Sequence, residues 1–190
     1  VSILNSISGI NLYSPSDSNT VKFLSHKVLN NKSTNYIRLE RGLLRNFAFL
    51  KKDYANGYRT IKKGKDIIFI GYGINIERIF QIEKHIMERT KKNIKFEILD
   101  LFRLKPLNIN LLCKKIKKFK YCFILEEQIE TGGISNYLAK ILLESKINII
   151  FKSFSVPDEN VYNFGDRNFI YKKVKLDDKE ISKKIIWIIQ

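Results

Sequence analysis

Two adjacent carboxylates, Glu126 and Glu127, end an apolar run of strand length, Tyr121 to Leu125. Carboxylates in that position act as general acids or bases when their surroundings tune their pKa. The plainer alternative is a loop that only joins two elements. Thr131-Gly132-Gly133 follows, and then a helical pattern on Ile134, Leu138, Ile141 and Leu142, so the segment reads as strand, loop and helix. Ligands of parallel sheets gather at the carboxyl ends of strands, which is where Glu126, Glu127 and Thr131 fall. Gly71-Tyr72-Gly73 begins like a dinucleotide fingerprint, and Asp100 follows the next strand, but Ile76 stands where the third glycine belongs. It reads as a tight strand-to-helix turn. Neither a Walker loop, nor a Gly-x-Ser-x-Gly elbow, nor a Ser/His/Asp set is present, so local motifs supply no complete catalytic apparatus. Cys113 and Cys122 read as reduced core thiols of a cytoplasmic protein, not as a metal site. His26 and His85 lack metal-spaced neighbours and read as surface or capping residues.

The elements that would position these groups come from the rest of the chain. Its 190 residues, 44% of them hydrophobic, suit one domain or one domain plus a piece. No apolar run approaches the roughly 20 residues of a membrane span, and no signal peptide pattern is visible. The formal charge of +16 suggests a nucleic-acid partner, but its distribution argues against one. The lysines are scattered in pairs over helix faces and turns. In the one block that mixes charge with aromatics, Lys114 to Tyr121, Ile116 and Phe119 fit a buried helix side. Heavy use of Lys, Ile and Asn reads as compositional bias of the source genome. The chain starts at Val1 and its single methionine is Met87, so it is expected to be processed or a piece of something longer.

Ile10 to Tyr13 reads as a strand, Ser14-Pro15-Ser16-Asp17 as a turn and helix cap, and Val21, Leu24, Val28 and Leu29 as a helix face. A second strand at Tyr36-Ile37-Arg38-Leu39 closes a strand–helix–strand unit too small to cover its own apolar faces. Leu43 to Asn56 is expected to be an extended surface linker. Tyr58 to Lys62 and Ile67 to Ile70 read as a hairpin about Lys63-Gly64-Lys65-Asp66. A helix with Ile76, Ile79, Phe80 and Ile86 buried comes next, then a strand at Ile94 to Leu99 and a loop at Leu101 to Asn108. A helix at Ile109 to Lys118, the Tyr121 strand, the Gly133 helix and a strand at Ile147 to Phe151 follow. Ser153 to Arg167 reads as irregular loop, and helical turns carrying Ile181, Ile185, Ile188 and Ile189 end the chain. This alternation predicts a three-layer α/β domain with a mainly parallel sheet and one antiparallel edge strand, preceded by a strand–helix–strand remnant of another α/β domain.

The order of these pieces resembles the C-terminal third of the transketolase family of thiamine-diphosphate enzymes. The matching motifs are Ser14-Pro15-Ser16-Asp17, Tyr36-Ile37-Arg38-Leu39-Glu40-Arg41-Gly42, Gly64 to Gly73, Asp100 to Leu107, Glu126-Glu127-Gln128 with Thr131-Gly132-Gly133, and Val156-Pro157-Asp158. The resemblance implies that residues 1–42 end a pyrimidine-binding domain, 43–56 are a linker, and 57–190 form the transketolase C-terminal domain with a five-stranded mixed sheet. It implies thiamine diphosphate and Mg2+ for the complete enzyme, held upstream of this chain. It also implies a dimeric or heterotetrameric assembly with an upstream region or subunit, and ketol transfer between sugar phosphates. The family's sugar-phosphate members place an arginine after the last pyrimidine-domain strand. Arg41 matches it, with Arg38 beside it, and guanidinium pairs with phosphate oxygens through two parallel hydrogen bonds. Glu40 stands where transketolases proper carry a small residue, so it could neutralise Arg41 or pair with Arg38, which alternation places on the same side. Glu126 or Glu127 is implied to accept backbone donors from a neighbouring loop, and Asp158 to stabilise the long loop after the last strand. Deoxyxylulose-phosphate synthase, a 2-oxoacid dehydrogenase beta subunit and a non-catalytic assembly module remain open; the arginine pair favours a phosphosugar over the dehydrogenase.

Overall fold

A computed structural model describes residues 1–41 and 44–190; the domain boundaries expected at Gly42 and Leu43 fall outside the described residues. The chain runs α1 (Ser2–Ser6), β1 (Ile10–Tyr13), α2 (Ser18–Leu29), β2 (Thr34–Ile37), α3 (Lys51–Asn56), β3 (Arg59–Lys62), β4 (Ile67–Gly71) and α4 (Asn75–Thr90). It continues through β5 (Phe96–Asp100), β6 (Arg103–Lys105), α5 (Ile109–Ile116), β7 (Tyr121–Ile129), α6 (Ile134–Glu144), β8 (Ile150–Val156), α7 (Arg167–Lys173) and α8 (Asp178–Ile189).

Five strands form one sheet in the order β3-β5-β4-β7-β8. β4 pairs in parallel with β5 and β7, β7 with β8, and β3 runs antiparallel at the edge. Strand alternation splits the core between the two faces. Ile68, Ile70, Leu99, Cys122 and Ile124 face α5 and α6, whereas Ile67, Phe69, Ile98, Phe123 and Leu125 face α4 and α8. Each helix returns an apolar stripe: Ile76, Ile79, Ile82 and Ile86 from α4, Leu138 and Leu142 from α6, Ile181 and Ile185 from α8. These are the three expected layers. Cys122 is a core thiol, with burial pushing its pKa up; Cys113 is half-buried instead, its Sγ 3.6 Å from Ser145 Oγ.

The expected hairpin is corrected. β3 and β4 do not pair; β5 lies between them, and β3 reaches the sheet edge through β5. The connecting turn crosses the start of β5, where the Lys65 and Asp66 amides donate to the Lys95 carbonyl at 3.1 and 3.0 Å. Gly64 permits that crossing, because a Cβ there would lie 2.2 Å from the Phe96 carbonyl carbon.

A second sheet has the order β2-β1-β6. β1 and β2 pair in parallel through the α2 crossover. β6, expected as loop, comes from the later part of the chain and pairs antiparallel with β1. The linker is not extended throughout, since its end forms α3, closed by left-handed Gly57 at φ 79°. The second strand starts earlier than expected, at Thr34, and the last strand runs on to Val156. Leu24 is buried in α2, but Leu29 is 81% exposed, outside the expected helix face.

Candidate functional site

The carboxyl ends of β4 and β7 meet the ends of β1 and β2, and the charged side chains of the chain's motifs concentrate in this seam. Gly73, at φ 57°, turns the backbone from β4 toward α4. Its amide approaches the Ser14 carbonyl at 3.3 Å, and a Cβ there would press on Glu40 and on the Ser14 hydroxyl. The glycine pair thus serves a turn and a close packing contact.

Glu126 is fully buried and surrounded by donors. It accepts the amides of Ile134 at 2.9 Å and Ser135 at 3.3 Å, the Tyr72 hydroxyl at 3.0 Å and the Ser155 hydroxyl at 3.2 Å, together with a short bond from the Ser135 hydroxyl. Two of these donors are first-turn amides of α6, which otherwise lack partners, so Glu126 caps that helix from the neighbouring strand. Gly133 makes room for it, because a Cβ would fall 2.0 Å from Glu126 Oε1. Burial first, and then the Glu126 charge, push the Tyr72 phenol well above its ordinary value. Glu126 thus takes the backbone donors implied for one of the two glutamates, although they come from the first turn of α6 and not from a loop; Glu127 takes none among the described residues.

Glu127 points the other way, into a ring of four charges. Arg38 Nη2 lies 3.1 Å from both Glu40 Oε1 and Glu127 Oε2. Arg167 Nη2 lies 3.1 Å from Glu40 Oε2, and its Nε lies 3.3 Å from Glu127 Oε1. The last contact is an ion pair without hydrogen-bond alignment, since Glu127 Oε1 has no donor. The ring joins the segment after β2, the end of β7 and the start of α7. Arg38 therefore pairs with Glu40, and with a second carboxylate as well. Arg41 is exposed, and none of the ion pairs among the described residues includes it. The two residues before it, Leu39 and Glu40, help line a cavity of about 290 Å3 with Pro15, Asp17, Ser18 and Leu44, among others; Arg41 itself is not part of the lining.

A second ionic cluster lies under the seam. Arg59, only 2% exposed, reaches Asp17 at 2.9 Å and Asp100 at 3.0 Å, and donates to Ser16 Oγ at 3.0 Å. Asp17 also caps α2 through the Thr20 amide at 2.8 Å and accepts the Phe47 amide at 2.7 Å. One side chain thus ties the first sheet unit, the connector and β3 together. Burial pushes the Asp100 carboxyl up to about 6, against the lowering effects of Arg59 and the Ser16 hydroxyl. Asp158, from the long loop, meets the Thr131 hydroxyl at 3.4 Å. The sequence reading missed Arg59 and Arg167; neither sits in a motif, and only its partners mark it.

Among the described residues, no group of three or more His, Cys, Asp or Glu side chains could hold a metal ion. No helix of the described residues is long and apolar enough to cross a membrane.

Comparison with known proteins agrees with this geometry. The chain is 28% identical over 98% of its length to 1-deoxy-D-xylulose-5-phosphate synthase of Helicobacter pylori (strain J99), and it spans 30% of that protein. The same enzyme of Campylobacter jejuni is 27% identical over 66% of the chain, which spans 20% of it. Among solved structures, a split-gene transketolase described as an inactive β4 tetramer superposes with a TM-score of 0.79 at 20% identity, covering 96% of this chain and 58% of that one. The transketolase of Campylobacter jejuni superposes with a TM-score of 0.71 at 13% identity, covering 97% of this chain and 27% of that one. The sequence profile of the transketolase C-terminal domain matches residues 57–181, and the chain belongs to that family.

Proposed function

We propose that this chain is the C-terminal portion of a thiamine-diphosphate transferase that moves a two-carbon ketol unit onto a phosphorylated sugar, with Arg41 holding the substrate phosphate. The observation that carries this reading is the fate of Glu40. Its carboxylate is taken up by Arg38 and Arg167, which leaves the exposed Arg41 free to take a phosphate through bidentate hydrogen bonds. Arg38 stands beside it and would add a second contact by releasing a carboxylate. Thiamine diphosphate supplies the carbanion chemistry when bound, and with Mg2+ it is held by an upstream region or subunit. This chain contributes architecture and the phosphate grip. Residues 1–42 are the end of a pyrimidine-binding domain, 43–56 a connector and 57–190 the C-terminal domain. Ile3, Leu29 and Leu39, which are 80%, 81% and 63% exposed, are covered by that upstream part in a dimer or heterotetramer.

A specific observation favours a second reading within the same class. The curated relatives that match the chain are 1-deoxy-D-xylulose-5-phosphate synthases, whose named product also carries a phosphate. In either case Arg41 has the same task.

The experiment is steady-state kinetics of the complete enzyme with Arg41→Ala, using a phosphorylated acceptor and its dephosphorylated analogue. Loss of one charge-assisted pair raises KM for the phosphorylated acceptor about 10- to 100-fold and leaves the analogue unchanged. Equal losses on both would remove the phosphate role. Calorimetric titration of thiamine diphosphate with Mg2+ onto the complete enzyme and onto this chain alone tests the upstream placement, because binding by this chain would overturn it.

A further inference from the structure

At the amino ends of β4 and β7, away from the carboxylates of the seam, lies a cavity of about 330 Å3. From Tyr121 to Glu126 along β7 the two ends are roughly 17 Å apart, at about 3.3 Å per residue. The apolar walls are Ile67, Ile94, Tyr121 and Ile186, contributed by the starts of two strands, the approach to β5 and the last turns of α8. Arg89 and Lys92 stand at the rim. We propose that this cavity is a binding site for a small amphiphilic anion, an alkyl or aryl body carrying one phosphate or carboxylate head.

The lining follows the usual division of small-molecule sites, apolar walls with a few polar groups that fix orientation, and its volume lies at the low end of about 300–1,000 Å3. Charge selects the head. Neither Arg89 nor Lys92 takes part in an ion pair among the described residues. Two acidic groups share the lining: Asp66, which accepts the Lys95 amide at 2.7 Å through Oδ2, and the terminal carboxylate of Gln190. They offset the charges of Arg89 and Lys92 in number, so the excess positive charge comes from the lysines at the same end of the sheet. Topology reinforces the field. The connections that lead into β4, β5 and β7 fall at this end of the sheet, and they carry Lys65, Lys91, Lys95, Lys118 and Lys120. Clustered charge of one sign beside a low-dielectric surface concentrates anions. Neither attraction suffices alone: an exposed cation holds a free phosphate weakly through screening, and a neutral chain gains only buried area. A ligand with both parts gains from both. This inference does not depend on the transferase reading.

The test is an amide NMR titration of the 190-residue chain with octyl phosphate, octanoate, octyl glucoside and inorganic phosphate, all below micelle formation. The two anionic amphiphiles are expected to produce saturable shifts clustered at Ile67, Ile94, Tyr121 and Ile186, and their relative affinities identify the preferred head. Octyl glucoside and inorganic phosphate bind at least about ten-fold more weakly. The exposed double variant Arg89→Ala/Lys92→Ala loses about ten-fold for both anions and leaves octyl glucoside unchanged, while its dispersed spectrum reports an intact fold. Shifts scattered over the lysine surface, equal binding of inorganic phosphate, or an unaffected double variant would each overturn the site.

Discussion

Arg167 and Glu40 are 127 positions apart in sequence and 3.1 Å apart in the fold. Through them α7 fastens the segment that carries Arg41, and Arg38 and Glu127 complete the circuit. Glu40 and Glu127 are only 5% and 12% exposed at their side chains, so these pairs are more sheltered than ordinary surface salt bridges.

Replacing Arg167 with Ala leaves two largely buried carboxylates to one arginine. The expected cost is about 1–2 kcal/mol in urea unfolding, shrinking in high salt. Arg167→Lys recovers only part of it, because one ammonium cannot span both carboxylates as a guanidinium fork does. A variant as stable as the parent at low salt would show that the ring contributes nothing.

Glu126 predicts a larger effect. Truncation to Ala strands the Tyr72 hydroxyl, the Ser135 side chain and two amides of α6 in the core, at an expected cost of about 3–5 kcal/mol. Gly133→Ala attacks the same contact from the opposite side through steric overlap with the carboxylate. Because both disturb one interaction, the double variant should lose less than the sum of the singles. Strict additivity in denaturant midpoints would contradict the capping role.

Asp100 gives a pH signature. Its carboxyl is raised from 3.8 to about 6, mainly by burial, so the folded state holds a proton that the unfolded state has already released. Its contribution to stability is therefore fully present below about pH 4 and lost as pH rises through 6. Relative to Asp100→Asn, the wild type should gain up to about 1.4 kcal/mol for each pH unit lowered within that window. Carboxyl NMR on Asp100 should find a midpoint near 6; a midpoint near 4 would remove the effect.

Gly64 tests the strand crossing. A methyl group there meets backbone, not a movable side chain, so Gly64→Ala should cost more than about 2 kcal/mol or displace β3 from the sheet. Loss of amide protection confined to Arg59–Lys62 under hydrogen exchange would identify the second outcome.

The layers were readable because they are local. Ile76, Ile79 and Ile86 repeat at helical spacing, and the apolar runs of β4 and β7 have strand length and abrupt ends. β6 was hidden because three residues, Arg103-Leu104-Lys105, carry no period, and their partner Leu12–Tyr13 lies far upstream. The pairing of β3 was misassigned because two apolar runs around a Gly-containing turn have the pattern of a hairpin, whereas the choice of neighbour is made by tertiary contacts. The arginines show the same limit. Arg41 sits within a motif, but the buried position of Arg59 depends on Asp17 and Asp100, which no local window contains together.

The pairing of β6 with β1 finally bears on how such a polypeptide can be divided or inherited. A break in the connector around residues 44–50 would fall between two apparent units, yet the pieces would share a sheet: β1 would lose β6, and Arg59 would be parted from Asp17. A division of the polypeptide that keeps this sheet and this ion pair intact therefore has to leave β1 and β6 on the same piece.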